Sequence, residues 1–114
     1  MRRFPSVKNN NDFQRAYRRK KSQANRLLVM YIAENDLDHP RLGVSCSRKT
    51  GNSVVRHTLT RKLREIFRLN STSLKESNQG IDIIIVVRRS CAEASYQEME
   101  EAYLELLKKH KILK

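Results

Sequence analysis

Tryptophan is absent from this chain, and proline, glycine and cysteine are scarce, with two, three and two residues among the 114. The longest apolar run, Ile83 to Val87, is far short of the roughly 20 residues a membrane span requires, so no transmembrane helix is expected. Gly51 stands in neither a GxxxxGKS/T nor a GxGxxG pattern, which removes the glycine-rich loops that cradle nucleotide phosphates. Cys46 and Cys91 show no CxxC spacing and have no histidine cluster near them in sequence. Reduced, buried thiols are therefore expected in preference to a disulfide frame or a zinc site. The basic stretch Met1-Arg2-Arg3-Phe4-Pro5-Ser6 leads into no apolar segment, so no secretory signal is expected and the compartment expected is the cytoplasm.

Positive charge is plentiful. Twenty-four Lys and Arg face 12 Asp and Glu, for a formal net charge of +12, which points to a polyanionic partner. The excess is confined to one half. Residues 1–68 carry 17 basic and 5 acidic side chains, whereas residues 69–114 carry seven of each. An even basic coat would not divide in this way, so one face built by the N-terminal elements is expected to meet the polyanion, with the second half as scaffold. At this length a single domain over residues 1–114 is expected.

The periodicities predict a mixed fold. Asn11-Asp12-Phe13 opens a short helical pattern with Phe13, Ala16 and Tyr17 on one side, ending in Arg18-Arg19-Lys20-Lys21. From Arg26 to Ala33, Leu28, Met30 and Ile32 alternate with Val29 and Tyr31, as in a strand with large side chains on both faces. Glu34 to Pro40 reads as a polar turn. Arg41 to Ser47 reads as a second strand, with Leu42, Val44 and Cys46 on one face and the small Gly43, Ser45 and Ser47 on the other, leaving room for a ligand. After the loop Arg48 to Ser53, a helix capped by Asn52 or Ser53 runs to about Leu69. Ile81 to Val87 has the β-branched continuity of a central strand. Ser95 with Glu98 forms a capping box ahead of a helix bearing Met99, Tyr103, Leu106 and Leu107. The fold class expected is α+β, a two-layer α/β sandwich in the order α-β-β-(β)-α-β-α, the bracketed strand being a short one near the turn.

On the central helix Val55, Leu59, Leu63 and Ile66 fall within a sector of roughly 80°, which is its core face. His57, Arg61, Arg64 and Arg68 gather on the opposite side, with Arg56 at the edge of the apolar face. A solvated charged face would read the same way. With only Glu65 to offset them, however, arginines at this density favour phosphate, whose oxygens the planar guanidinium can hold in pairs. The histidines His39, His57 and His110 are scattered, and no motif sets a serine or cysteine beside a base. No active site or metal site is legible. Phe13, Tyr17 and Tyr31 lie near Arg15, Arg18, Arg19 and Arg26, a combination suited to single-stranded nucleic acid: cations hold the backbone and aromatic faces stack bases. Core packing accounts for Phe13 equally well.

The segment Arg41-Leu42-Gly43-Val44-Ser45-Cys46-Ser47-Arg48-Lys49-Thr50-Gly51-Asn52-Ser53-Val54-Val55-Arg56, continuing through Arg61-Lys62-Leu63-Arg64-Glu65, resembles the protein subunit of bacterial ribonuclease P. Asp12-Phe13 with Tyr17, Ala24-Asn25-Arg26 leading into Val29 and Tyr31, the isoleucine-rich strand and the closing helix extend the resemblance over nearly the whole chain. It implies a small basic protein that binds a catalytic RNA subunit and guides precursor tRNA whose 5′ leader is removed. Cleavage would be carried by Mg²⁺ ions bound mainly by the RNA. It also implies two surfaces. Arg48, Lys49, Asn52, Arg56, His57, Arg61, Arg64 and Arg68 would meet the RNA subunit, and Phe13, Tyr17, Arg18, Arg26, Val29 and Tyr31 would hold the leader in a cleft between the first helix and one sheet face. Neither a membrane nor DNA is an expected partner. The implied fold is that of the ribosomal protein S5 domain 2-like group. In it two parallel strands are joined through the signature helix by a left-handed crossover, against the general right-handed preference.

One departure stands out. The family signature usually reads Arg-Asn-Arg, an apolar residue, Lys and Arg, whereas this chain reads Arg56-His57-Thr58-Leu59-Thr60-Arg61. His57 can still donate a hydrogen bond, but Thr58 and Thr60 carry no charge. Losing two direct phosphate contacts lowers the salt slope of RNA binding by about 2. Two other readings compete: a non-catalytic RNA-binding protein of ribosomal type, and a nuclease with its own metal site, which the scarcity of clustered acidic ligands disfavours.

Overall fold

The computed structural model describes residues 6, 7 and 9–114, with the backbone alone at Asn78. The basic stretch at Met1 to Pro5 lies outside the described residues. Among the described residues three α-helices, α1 (Asn10–Arg19), α2 (Ser53–Leu69) and α3 (Tyr96–Lys109), accompany four strands, β1 (Ser22–Ala24), β2 (Leu28–Glu34), β3 (Arg41–Ser45) and β4 (Ile81–Val87). They form one mixed sheet in the order β1-β2-β4-β3, in which β4 runs antiparallel to β2 and parallel to β3. The expected parallel pair joined through the central helix is thus present as β3-α2-β4.

Strand alternation divides the core. Leu28, Met30, Leu42, Ile83 and Ile85 pack with Leu59, Leu63, Ile66 and Phe67 of α2 and with Met99, Tyr103, Leu106 and Leu107 of α3. The alternate residues Ala33 and Ile84 face the other way and pack with Val7, Ala16, Phe13, Tyr17 and Tyr31. The α/β sandwich expected of α2 and α3 is therefore formed on one face, and α1 lies over part of the opposite face.

Local chemistry sets the ends of these elements. The Asn52 carboxamide accepts from the Val55 N–H at 2.9 Å to start α2. Ser95 and Glu98 complete the capping box of α3 at 3.1 and 3.0 Å. Other boundaries differ from expectation. Asn9, two residues before Asn11, caps α1 by accepting from the Asn11 N–H, while Lys20, within the expected basic run, ends the helix in the left-handed region at φ 55°. The strand expected from Arg26 begins at Leu28, because Asn25 Oδ1 accepts from the N–H groups of Leu27 and Leu28 and turns the chain there. The extra short strand, expected after the two longer ones, instead precedes them at Ser22–Ala24, where it pairs with β2. Strand β3 stops at Ser45, two residues early, since the chain leaves the sheet for the loop that precedes α2.

Candidate nucleic-acid interface

The β-register defines a cleft on the α1 side. Residues directly opposite one another share a face, so Ser22, Tyr31, Ile84 and Gly43 form one row, and Ala24, Val29, Val86 and Ser45 form the next. Helix α1 covers the first row from Tyr31 to Gly43 and leaves Ser22 exposed. Tyr17 meets Tyr31 edge-on, with ring centroids 4.9 Å apart and planes at 80°, and Phe13 stands 6.4 Å from Tyr17. The second row remains open: Ala24 is exposed, and Val29, Val86 and Ser45 are half-buried. An aromatic wall therefore stands beside an aliphatic floor. The small-residue face of β3 does not leave all its space free as expected, because Phe13 fills the part over Gly43. A Cβ there would lie 2.8 Å from both Phe13 Cζ and Ile84 Cδ1.

Arg18 is exposed near the end of α1, next to Tyr17 in sequence, but its side chain is grouped with Asn11, Gln14, Arg15 and Arg19 on the outer side of the helix and not with the aromatic wall. Arg26, expected with the cleft residues, is placed elsewhere. It lies outside β2 and is drawn to Glu98 of α3 at 3.6 Å, on the other layer of the sheet. That exposed pair carries little energy, but it marks which way the side chain is turned.

On the opposite face, the alternation of β3 points Val44 towards α2, with Cys46 following. These two residues and Ser53, Arg56, His57, Thr60 and Arg64 line a groove of about 270 Å³. His57, Arg61, Arg64 and Arg68 are exposed along α2, and Arg48 and Lys49 are exposed in the loop leading to it. Arg56 is half-buried, and its Nε is buried without a hydrogen-bond acceptor among the described residues. Such a donor is costly unless an acceptor arrives. Arg68 departs from the expected picture of unopposed arginines, because Glu65 pairs with it at 2.8 Å. Asn52 has its carboxamide oxygen committed to the helix cap. The thiols also differ from one another. Cys91 is fully buried, and burial pushes it up to about 11, whereas Cys46 is half-exposed in the groove, contrary to the expectation of two buried thiols.

A charged network went unread in the sequence. Asp82, 1% exposed within the isoleucine strand, accepts from Arg41 Nε at 2.8 Å, from Arg41 Nη2 at 2.6 Å and from Asn35 Nδ2 at 2.8 Å. Arg15 Nη2 lies 3.5 Å from both Asp82 and Asp12, and Arg41 reaches Asp12 at 3.4 Å. Hydrogen bonding to Asp82 holds the Arg41 guanidinium further into its charged range. An aspartate interrupting Ile81 and Ile83 was the available signal, but its partner sits 41 residues away. Among the described residues no three of His, Cys, Asp and Glu gather as a group that could hold a metal ion. The carboxylates of Asp12 and Asp82 are already engaged by arginines.

Comparison with known proteins converges on one family. A family model described as Ribonuclease P matches residues 1–111. The ribonuclease P protein component of Alkaliphilus oremlandii is 43% identical over 113 residues, covering 99% of this chain and 96% of that protein. That of Lachnoclostridium phytofermentans is 46% identical over 108 residues, covering 95% and 90%. Among solved structures, the RNase P protein of Staphylococcus aureus superposes with a TM-score of 0.86 at 33% identity, covering 98% of this chain and all of that one. The competing ribosomal-type reading is thereby set aside, and the chain belongs to the ribonuclease P protein family, serving as a protein subunit of ribonuclease P.

Proposed function

We propose that the two faces of β3 divide the work of RNA binding. The face turned to α2 meets the RNA subunit through Arg48, Lys49, Arg56, His57, Arg61 and Arg64, with Asn52 and Arg68 at the margins. The face turned to α1 holds the 5′ leader of precursor tRNA between Phe13, Tyr17 and Tyr31 and the open floor at Val29, with Arg18 meeting its phosphates from the outer side of α1. Arg26, turned towards Glu98 in this structure, is not assigned to this track. The observation that carries the reading is the opposite facing of neighbours in β3: Val44 lines the cationic groove while Ser45 ends the cleft floor. Two RNA segments can thus lie on either side of one strand. A phosphate oxygen in the groove would also satisfy the buried Nε of Arg56.

Aromatic and aliphatic surface without a fixed hydrogen-bonding pattern suits a leader of variable sequence. In this reading cleavage is endonucleolytic, its chemistry is carried by the RNA subunit and the Mg²⁺ ions it binds, and the protein alone is not catalytic. The protein contributes affinity and positioning, in the cytoplasm, with no role for DNA or a membrane. The test is a pair of variants in the reconstituted holoenzyme. Tyr31→Ala should weaken binding of precursor tRNA while sparing mature tRNA, and Arg56→Ala should weaken assembly with the RNA subunit. Loss of the same binding step by both variants would contradict the division.

A further inference from the structure

We infer that the buried pair Arg41–Asp82 is a positioning device for the leader cleft, setting how α1 stands over the sheet. This inference rests on the proposed use of that cleft. Asp82 lies at the far end of the α1 face, one row beyond Tyr31, Ile84 and Gly43, directly across from Arg41 in β3 and Ala33 in β2. An isoleucine there would extend the run Ile83-Ile84-Ile85 and bury without desolvating a carboxylate. The strand instead keeps a carboxylate that is 1% exposed. A buried ion pair is weak evidence for stability, because desolvation offsets the attraction, and its better-supported use is to fix one arrangement among several.

Here the arrangement fixed is a helix on a sheet. Arg41 grips both oxygens of Asp82 at 2.8 and 2.6 Å and extends to Asp12 of α1, while Arg15, one turn along α1, lies 3.5 Å from both carboxylates. Asn35 adds the β2–β3 linker at 2.8 Å. The rest of the α1 contact is aromatic and aliphatic, which fixes distance but little direction: Phe13 on Gly43, Ala16 on the sheet, Tyr17 against Tyr31. The polar network thus pins the first turns of α1. The orientation of Tyr17 beside the open row follows from that pin.

Asp82→Asn and Asp12→Asn each remove a negative charge from a protein that binds a polyanion. Simple electrostatics would then tighten binding to any RNA. Loosening α1 has the opposite sign for the leader alone. The experiment measures dissociation constants of the reconstituted holoenzyme for precursor and mature tRNA, and of each variant for the RNA subunit, after circular dichroism has shown the variants folded. The expected result is a precursor-over-mature preference reduced by roughly fivefold, the scale of coupling through a shifted element, with RNA-subunit affinity unchanged or tighter. If Asp82→Asn does not fold, Asp12→Asn carries the test, since it frees only the helix side of the network. An undiminished preference in the folded variants overturns the inference and leaves the leader reading intact. A wild-type holoenzyme without any such preference sinks the leader reading itself.

Discussion

Phe13 of α1 rests directly on Gly43 of β3, so closely that a Cβ at Gly43 would stand 2.8 Å from the ring. Both the helix and its cleft depend on that missing side chain. Gly43→Ala should destabilise the fold by about 1–3 kcal/mol, the usual result of forcing a methyl group into a packed site. Because Ile84 is equally close on the other side, the ring must give way, and precursor binding should fall with stability. Urea unfolding, followed by precursor binding under native conditions, measures both. A neutral substitution would show that α1 is not seated as described.

The thiols should behave differently. Burial raises Cys91 to about 11, so little thiolate forms at pH 8, whereas Cys46 is half-exposed beside Arg56 and Arg64. Iodoacetamide on the folded protein should label Cys46 and spare Cys91, as read by mass spectrometry. The label should also weaken binding of the RNA subunit by occupying the groove. Equal labelling of both thiols would contradict the burial of Cys91.

His110 links stability to pH. Its Nε2 donates to the Met30 carbonyl at 2.9 Å, because that oxygen can only accept. Burial, opposed by this bond and helped by Lys21, lowers its pKa from the ordinary 6.5. The unfolded chain therefore takes up the proton more readily. The stabilisation is fully present above about 6.5 and is lost as pH falls through the lower folded value. The urea midpoint should drop between pH 7.5 and 5.5, and the drop should shrink in His110→Gln, which keeps a donor and does not titrate. An equal drop in both proteins would assign the effect to other groups.

Thr60 lines the cationic groove and carries no charge. Thr60→Lys should steepen the salt dependence of binding to the RNA subunit by about 1 in log–log slope, the contribution of one added phosphate contact. Affinity measured across a salt series gives that slope directly. An unchanged slope would place the RNA backbone elsewhere on α2.

Much of this architecture was legible because it is local. The capping box at Ser95, the helix that follows and the isoleucine strand are written in residues a few positions apart. The two faces of β3 could be read from alternation alone. Other features depended on distant partners. Nothing near Gly43 announced that Phe13 would occupy its space, and nothing near Arg26 announced Glu98, 72 positions away, which turns it from the cleft. The strand boundary at Leu28 depended on a side-chain turn at Asn25, which mimics backbone pairing and leaves no break in the hydrophobic pattern. The Arg41–Asp82 pair joins residues that adjoin only because β3 and β4 run parallel. An aspartate amid isoleucines was the one trace of it in the sequence.

The most direct test of the account is cleavage of a precursor tRNA at low Mg²⁺ in three reactions: the matching RNA subunit alone, this protein alone, and the two together. A mature 5′ end should form in the combined reaction, with little or none in either component alone. Cleavage by the protein without RNA, or no gain when the protein joins its RNA, would contradict it.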